Sequence, residues 1–353
     1  MRRGRCGGIG LVEYEACIYL ERFNLCLLGA MDSERAVTLC VEPFYRDDVP
    51  GVPLGDSPEE TLARVIALRN SMISELKSNT TDSHRIYTDG CADCMLLRKS
   101  NWADNGLIEV INLSMYPAPC NSKCSHCLFA PQVHDRMDQK SSTNYEKALH
   151  LAEYAKKNGY THKNVFWQVA TGEITVHPYK DRILSLIGDD RCQFLSNCFL
   201  YDDGIAKNLE ANPKSQISLT LNAGTPRVYR GLTGVDNFDS VLENISRYRK
   251  ASSPGQIHLK YIVFPGINDN AEDFEGVIRI MKNLQIDKLA FMRDSRRKYN
   301  TPASEMEKVI ESTARGVSFL IKNGLGFDLF YYYPEQMKQI VAITKEMRAS
   351  TIC

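Results

Sequence analysis

The chain has 353 residues, 43% of them apolar and 24% charged, with 43 basic side chains balanced by 43 acidic ones. That composition can bury a sizeable core over about two domains' worth of chain, and the zero net charge excludes a protein dominated by a nucleic-acid-binding field. Its 22 glycines and 14 prolines exclude collagen-like and low-complexity architectures, and no apolar run approaches the length of a membrane span.

The first residues, with Arg2, Arg3 and Arg5, carry the charges of a signal peptide, but Glu13, Glu15 and Glu21 break the apolar run that should follow. A cytoplasmic location is therefore the expectation. Residues 15–28 and 35–42 are mixed apolar stretches that predict a hairpin or two irregular strands. After a loop at 47–56, Ser57-Pro58-Glu59-Glu60 predicts a helix start, with Ser as cap, Pro in the first position and Glu three residues on. Leu62, Val65, Ile66, Met72, Ile73 and Leu76 supply its apolar face.

From residue 107 strand and helix patterns alternate, with strands expected at 108–114, 164–170, 192–196, 216–221, 257–263 and 288–292. Six such units are fewer than the eight of a closed barrel. The expected fold is α/β: a partial (β/α)6 TIM-like barrel over residues 107–300, preceded by a small irregular segment, 1–106. A C-terminal α/β extension, 301–353, closes the barrel with a helix after Pro302, a strand at 327–332 and a last helix at 334–347.

Cysteine is the informative residue. Twelve are too few for a disulfide scaffold and too many to ignore in a reducing compartment, and five of them fall between Cys91 and Cys127. Directly after the first barrel strand, Cys120, Cys124 and Cys127 stand in a turn-rich loop at spacings of four and three. Thiolates are soft ligands for iron–sulfur clusters or zinc, and three of them leave one metal corner open. A zinc site would need His126, His134 or a remote fourth ligand, and adjacent His126 and Cys127 do not easily point at one ion.

This spacing resembles the signature of the radical S-adenosylmethionine (SAM) enzymes, with His126 in the slot the family usually gives to an aromatic residue. The resemblance implies a [4Fe-4S] cluster on the three cysteines that chelates SAM, reductive cleavage of SAM to a 5′-deoxyadenosyl radical, and hydrogen abstraction from a substrate. It also implies a one-electron donor such as flavodoxin or ferredoxin. After the second strand, Thr171-Gly172-Glu173 is similar to the family's Gly-Gly-Glu contact with SAM, with Thr171 in place of the first glycine. Ser196 and Asn197 at the third strand's end, Ser218 on the fourth and Arg230 just beyond it extend the implied cofactor contacts.

Substrate identity is quieter. Lys260 on the fifth strand and the cationic run that holds Arg293, Arg296 and Arg297 are candidates for an anionic, phosphorylated or nucleotide-linked small molecule, with a solvated loop as the alternative for the run. A peptide substrate, as in peptide-modifying enzymes or glycyl-radical activases, is the second reading, and a zinc-stabilised interaction protein that performs no catalysis is the third. Cys91 and Cys94, with Cys26 and Cys40 as candidate partners, could hold a second iron–sulfur cluster, a structural zinc, or no metal.

Overall fold

A computed structural model describes residues 14–29, 34–40, 49–78, 91, 94, 97–100, 106–116, 118–127, 137–294 and 301–350. The chain forms two compact units, Met1–Asn112 with Asn144–Val165, and Leu113–Thr143 with Phe166–Cys353. The boundary between Asn112 and Leu113 falls inside a strand, and residues 301–353 lie in the second unit.

In the first unit the chain runs through β1 (Tyr14–Cys17), α1 (Ile18–Glu21), β2 (Asn24–Gly29), β3 (Val37–Thr38), β4 (Gly51–Val52), α2 (Pro58–Lys77) and β5 (Leu97–Ser100). It also holds the start of β6 (Ile108–Tyr116), most of α3 (Gln139–Lys157) and the start of β7 (Thr161–Val169). β1 pairs antiparallel with β5, and β2, β3 and β4 form a small antiparallel ladder. One turn of helix, α1, interrupts the apolar stretch that reads as a single strand in sequence. α2 begins where the cap signal places it: Ser57 Oγ accepts from the Glu60 amide at 3.2 Å, with Pro58 in the first turn. Its Arg69 is buried, and the guanidinium donates twice to the Leu20 carbonyl, at 2.9 and 2.6 Å.

The second unit continues with α4 (Lys180–Ile187), β8 (Arg191–Ser196), α5 (Asp203–Ala211), β9 (Gln216–Thr220), α6 (Pro226–Thr233), α7 (Phe238–Lys250) and β10 (Ile257–Ile262). It ends with α8 (Ala271–Asn283), β11 (Lys288–Met292), α9 (Ala303–Lys322), β12 (Gly326–Phe330) and α10 (Pro334–Ser350). From β6 to β12 the strands lie in sequence order, and every register from β7 onward is parallel. Parallel neighbours need long crossovers, which the helices supply. The Ala170 amide donates to Leu113 O at 2.9 Å, which joins the ends of β7 and β6.

Strand periodicity sorts the two faces of this sheet. On β10, Ile257, Leu259 and Tyr261 are buried under the helices, where Tyr261 and Phe274 meet Phe291 with ring centroids 5.9 and 6.4 Å apart. His258, Lys260 and Ile262 take the opposite face. Gln168, Gln193, Ser218, Lys260, Ala290 and Phe330, from six successive strands, line one cavity on that face. The sheet is therefore curled, and the unit is the expected α/β partial barrel. Its one departure is the seventh strand, β12, which pairs parallel with β11. Among the described residues no helix is long and apolar enough to cross a membrane.

Candidate functional site

The site lies at the C-terminal ends of the barrel strands. β6 leads through Ala118 and Pro119 into the three-cysteine loop, whose backbone is fixed on α6: the Lys123 amide donates to Thr233 O and the Ser125 amide to Leu232 O, each at 3.0 Å. The helix ends there because Gly234 takes a left-handed φ of 71°, and a Cβ on it would stand 3.0 Å from that of Lys123. On the other side, the turn after β7 folds over the start of the loop. The Glu173 amide donates to Pro119 O at 2.8 Å, and Gly172, at φ 50°, approaches so closely that a Cβ would lie 2.2 Å from that oxygen. Gly172 is thus the position that requires glycine. Thr171 is accommodated because its buried hydroxyl donates to Met115 O at 2.7 Å.

These segments enclose a cavity that is partly open to solvent. Cys120, Cys124 and Cys127 line it together with His126, Gly172, Glu173, Ser196, Asn197, Ser218 and Lys260. Glu173 is almost fully buried, and its carboxylate is held by the chain itself. Oε1 accepts from the Thr175 amide (3.1 Å), Thr175 Oγ1 (2.8 Å) and Ser196 Oγ (2.9 Å), and Oε2 accepts from the Asn197 amide at 2.6 Å. Burial raises its pKa even against these four donors. Asn197 carries the connection onward, because its Nδ2 donates to Asn121 Oδ1 at 2.7 Å and lies 3.8 Å from Cys120 Sγ.

Burial pushes the Cys120 thiol up to about 12, with the charge of Glu173 adding to the effect. Cys124 is raised for the same reason, offset in part by Ser122 Oγ at 2.9 Å. His126 packs on Phe264 with ring centroids 5.2 Å apart, and its Nε2 meets Asn222 Nδ2 at 3.0 Å. Asn222 was not foreseen. It sits at φ 54° after β9, accepts from the Ile262 amide at 2.7 Å, and gives its carbonyl to Asn268 Nδ2 at 2.9 Å. Tyr116 and Tyr229 also line the cavity without a sequence signal, as aromatic residues in apolar patterns. Among the described residues no group of three or more His, Cys, Asp and Glu side chains is arranged around a single metal ion. The donor set does fit an iron–sulfur cluster: three soft thiols in one cavity, beside a glycine cradle and open space for a further ligand.

A sequence model of the radical SAM superfamily matches residues 118–280, a span that contains every one of these groups except Tyr116. Residues 118–280 thus carry a radical SAM domain. Members of this superfamily use a [4Fe-4S] cluster and SAM. A comparison with curated proteins found no match. Among solved structures, SuiB from Streptococcus suis, bound to its precursor peptide SuiA, is similar at 15% identity and a TM-score of 0.48, over 81% of this chain and 56% of that one. The chain thus spans a little over half the length of that protein. A radical SAM methyltransferase from Sphaerobacter thermophilus is similar at 15% identity and a TM-score of 0.42, over 60% and 63% of the two chains. A domain of pyruvate-formate lyase-activating enzyme from Bacteroides vulgatus has 16% identity and a TM-score of 0.37, over 46% and 96%.

Two expected contacts lie elsewhere in this radical SAM unit. Arg230 is exposed on α6, on the face opposite its buried Val228, Tyr229 and Leu232, and stands 3.7 Å from Asp236. Arg293 is buried outside the cavity: Ala290 and Met292 point inward, so the next side chain points out, and its guanidinium lies 5.1 Å from the Tyr333 ring centroid. Arg296 and Arg297 lie outside the described residues. In the first unit, the Cys94 amide donates to Cys91 O at 2.9 Å in a tight turn ahead of β5. The β1–β5 pairing sets Cys17 opposite Leu97, and the Cys17 thiol is raised by burial and by the nearby Cys94. Cys26 is buried in β2 opposite Thr38 and pushed up to about 12, while Thr38 Oγ1 donates to Cys40 O at 2.7 Å. Cys17, which the spacing did not single out, is thus a neighbour of the Cys91–Cys94 turn.

Proposed function

We propose that this chain cleaves SAM reductively and uses the resulting radical to abstract hydrogen from a small-molecule substrate, with a flavodoxin- or ferredoxin-type protein as electron donor. The observation that carries the reading is the convergence of Cys120, Cys124, Cys127, Gly172 and Glu173 on one cavity. The three cysteines would hold a [4Fe-4S] cluster, which together with SAM supplies an electron and, by C–S cleavage, a carbon radical.

The chain's own residues position these groups. Gly172 lets the backbone approach closely, and the loop's two bonds to α6 fix the cysteines before any metal arrives. Oε1 of Glu173 already accepts three donors and Oε2 only one, so the direction left for the SAM ammonium is at Oε2. Tyr116, whose hydroxyl donates to Ala170 O at 2.7 Å, and Tyr229 form apolar walls that restrict water.

Anaerobic reconstitution tests the proposal. The wild-type chain should take up about four irons and four sulfides and release 5′-deoxyadenosine under a strong reductant. Replacement of Cys120, Cys124 and Cys127 by Ala should abolish both. Cleavage retained by the triple variant would overturn the reading.

A further inference from the structure

The barrel interior continues below the cluster-side cavity. A second cavity of about 560 Å³ is lined by Gln168, Gln193, His258, Met292 and Tyr331, and it shares Leu195, Ser218 and Lys260 with the first. Among the described residues neither a carboxylate nor an arginine lines this lower cavity. Lys260 is the cation at the junction, and among the described residues no side chain hydrogen-bonds or pairs with its ammonium. Ser218 Oγ likewise has no bond among the described residues, and the Gln193 amide nitrogen remains a donor because Gln193 Oε1 takes the bond from Gln168 Nε2 at 2.9 Å. The cavity therefore presents donors, one of them charged, with no acid to balance them.

We infer that the lower cavity is the substrate pocket of the proposed reaction and that Lys260, with Ser218 and Gln193, binds an anionic group of that substrate, a phosphate or a carboxylate. The inference rests on the radical SAM reading for the position of the reacting carbon, which would lie toward the cysteine loop. Lys260 is half-buried in the cavity wall, and partial desolvation without a counter-charge lowers it from 10.5 to about 8. An anion seated beside it offsets that desolvation and returns the pKa upward. The titratable groups that share the lower cavity are His258, whose Nε2 meets Gly255 O at 3.0 Å, and Tyr331. Glu173 stands in the upper cavity with its carboxylate already engaged.

The test uses the reconstituted full chain with carbon-13 at lysine Cε, the Lys260 signal being identified by its loss in Lys260→Arg. The signal should titrate near pH 8 in the free enzyme, and inorganic phosphate or sodium acetate should raise that midpoint by about half a unit or more. A response to phosphate alone assigns a phosphorylated substrate, and one to acetate alone a carboxylic acid. A midpoint that neither anion moves overturns the inference. So does a midpoint raised by SAM alone with no further response to either anion, because the anion would then be the cofactor's own carboxylate. SAM cleavage, measured on the same preparation, reports on the proposed function separately.

Discussion

Replacing Glu173 by Gln keeps the shape of a fully buried side chain while removing its charge, and the structure gives the consequence. If the new amide nitrogen takes the Oε2 position it faces the Asn197 amide, a donor 2.6 Å from the present oxygen. If it takes the Oε1 position it faces the Thr175 amide at 3.1 Å, where only the two hydroxyls can turn to accept. Either orientation sets N–H against N–H. One buried donor left unsatisfied costs about 1–3 kcal/mol, and loss of charge assistance in the remaining bonds adds about 1 kcal/mol. Relief of carboxylate burial, visible in the raised pKa, offsets part of this. A net loss of about 2–3 kcal/mol is expected, which lowers the urea midpoint by roughly 1 M for an m-value near 3 kcal/mol/M.

Ser196→Ala, which removes one of the four donors, should cost about 1 kcal/mol. In reconstituted Glu173→Gln, SAM affinity should fall about tenfold or more, since a charge-assisted bond contributes about 1.5–3 kcal/mol. Cluster content should stay near normal, because among the described residues the Glu173 carboxylate hydrogen-bonds no cysteine and its bonded link to Cys120 runs through Asn197. A variant that unfolds within about 0.5 kcal/mol of wild type would refute the claim that the chain itself holds this carboxylate.

Gly172→Ala should lose SAM binding in equilibrium titration and drop measurably in thermal midpoint, because it needs both a left-handed φ and space that Pro119 O occupies. Arg230→Ala should leave SAM affinity within about twofold, given the exposed position of the guanidinium. In the triple-cysteine variant, metal retained by Cys91 and Cys94 should be measurable without interference from the main cluster, by elemental analysis and Mössbauer spectroscopy. Neither iron nor zinc in folded protein would leave those two as structural or redox thiols.

The barrel strands were legible because each is a short apolar run that alternates and then stops at a turn. The expected 288–292 is β11 to the residue, and 257–263 misses β10 by one. The cysteine loop and Gly172-Glu173 were legible as motifs. What could not be read is direction. Arg230 and Arg293 look like anion ligands in a linear sequence, but helical face and strand parity turn both away from the cavity. Lys260 has the same appearance, and parity turns it inward. Pairing between distant segments was equally hidden: β1 and β5 are some eighty residues apart in sequence, and only their ladder brings Cys17 near Cys94. Thr171, where the family motif has a glycine, is seated by a bond to Met115 O, and nothing local in the sequence shows that bond.

Two charges of opposite sign share the cluster-side cavity, Glu173 buried and Lys260 half-buried, and the chain treats them differently. Glu173 receives four donors from the turn it caps and from the end of β8, so its desolvation is largely compensated by the fold. Lys260, across the cavity on β10, finds no acceptor or counter-charge among the described residues. Desolvation of an ammonium with no counter-charge costs the folded protein even when the side chain is half-buried, whereas an apolar side chain at the same position would carry no such cost. Packing therefore accounts for Leu259 and Tyr261 on the outer face of β10 but not for the lysine between them. The ordinary way to recover that cost is a ligand that brings the missing charge, and perturbed groups of this kind in a cleft mark functional sites more often than structural ones. On the proposed reading, Glu173 is the group through which the fold organises the cofactor side, and Lys260 is the group left to the substrate.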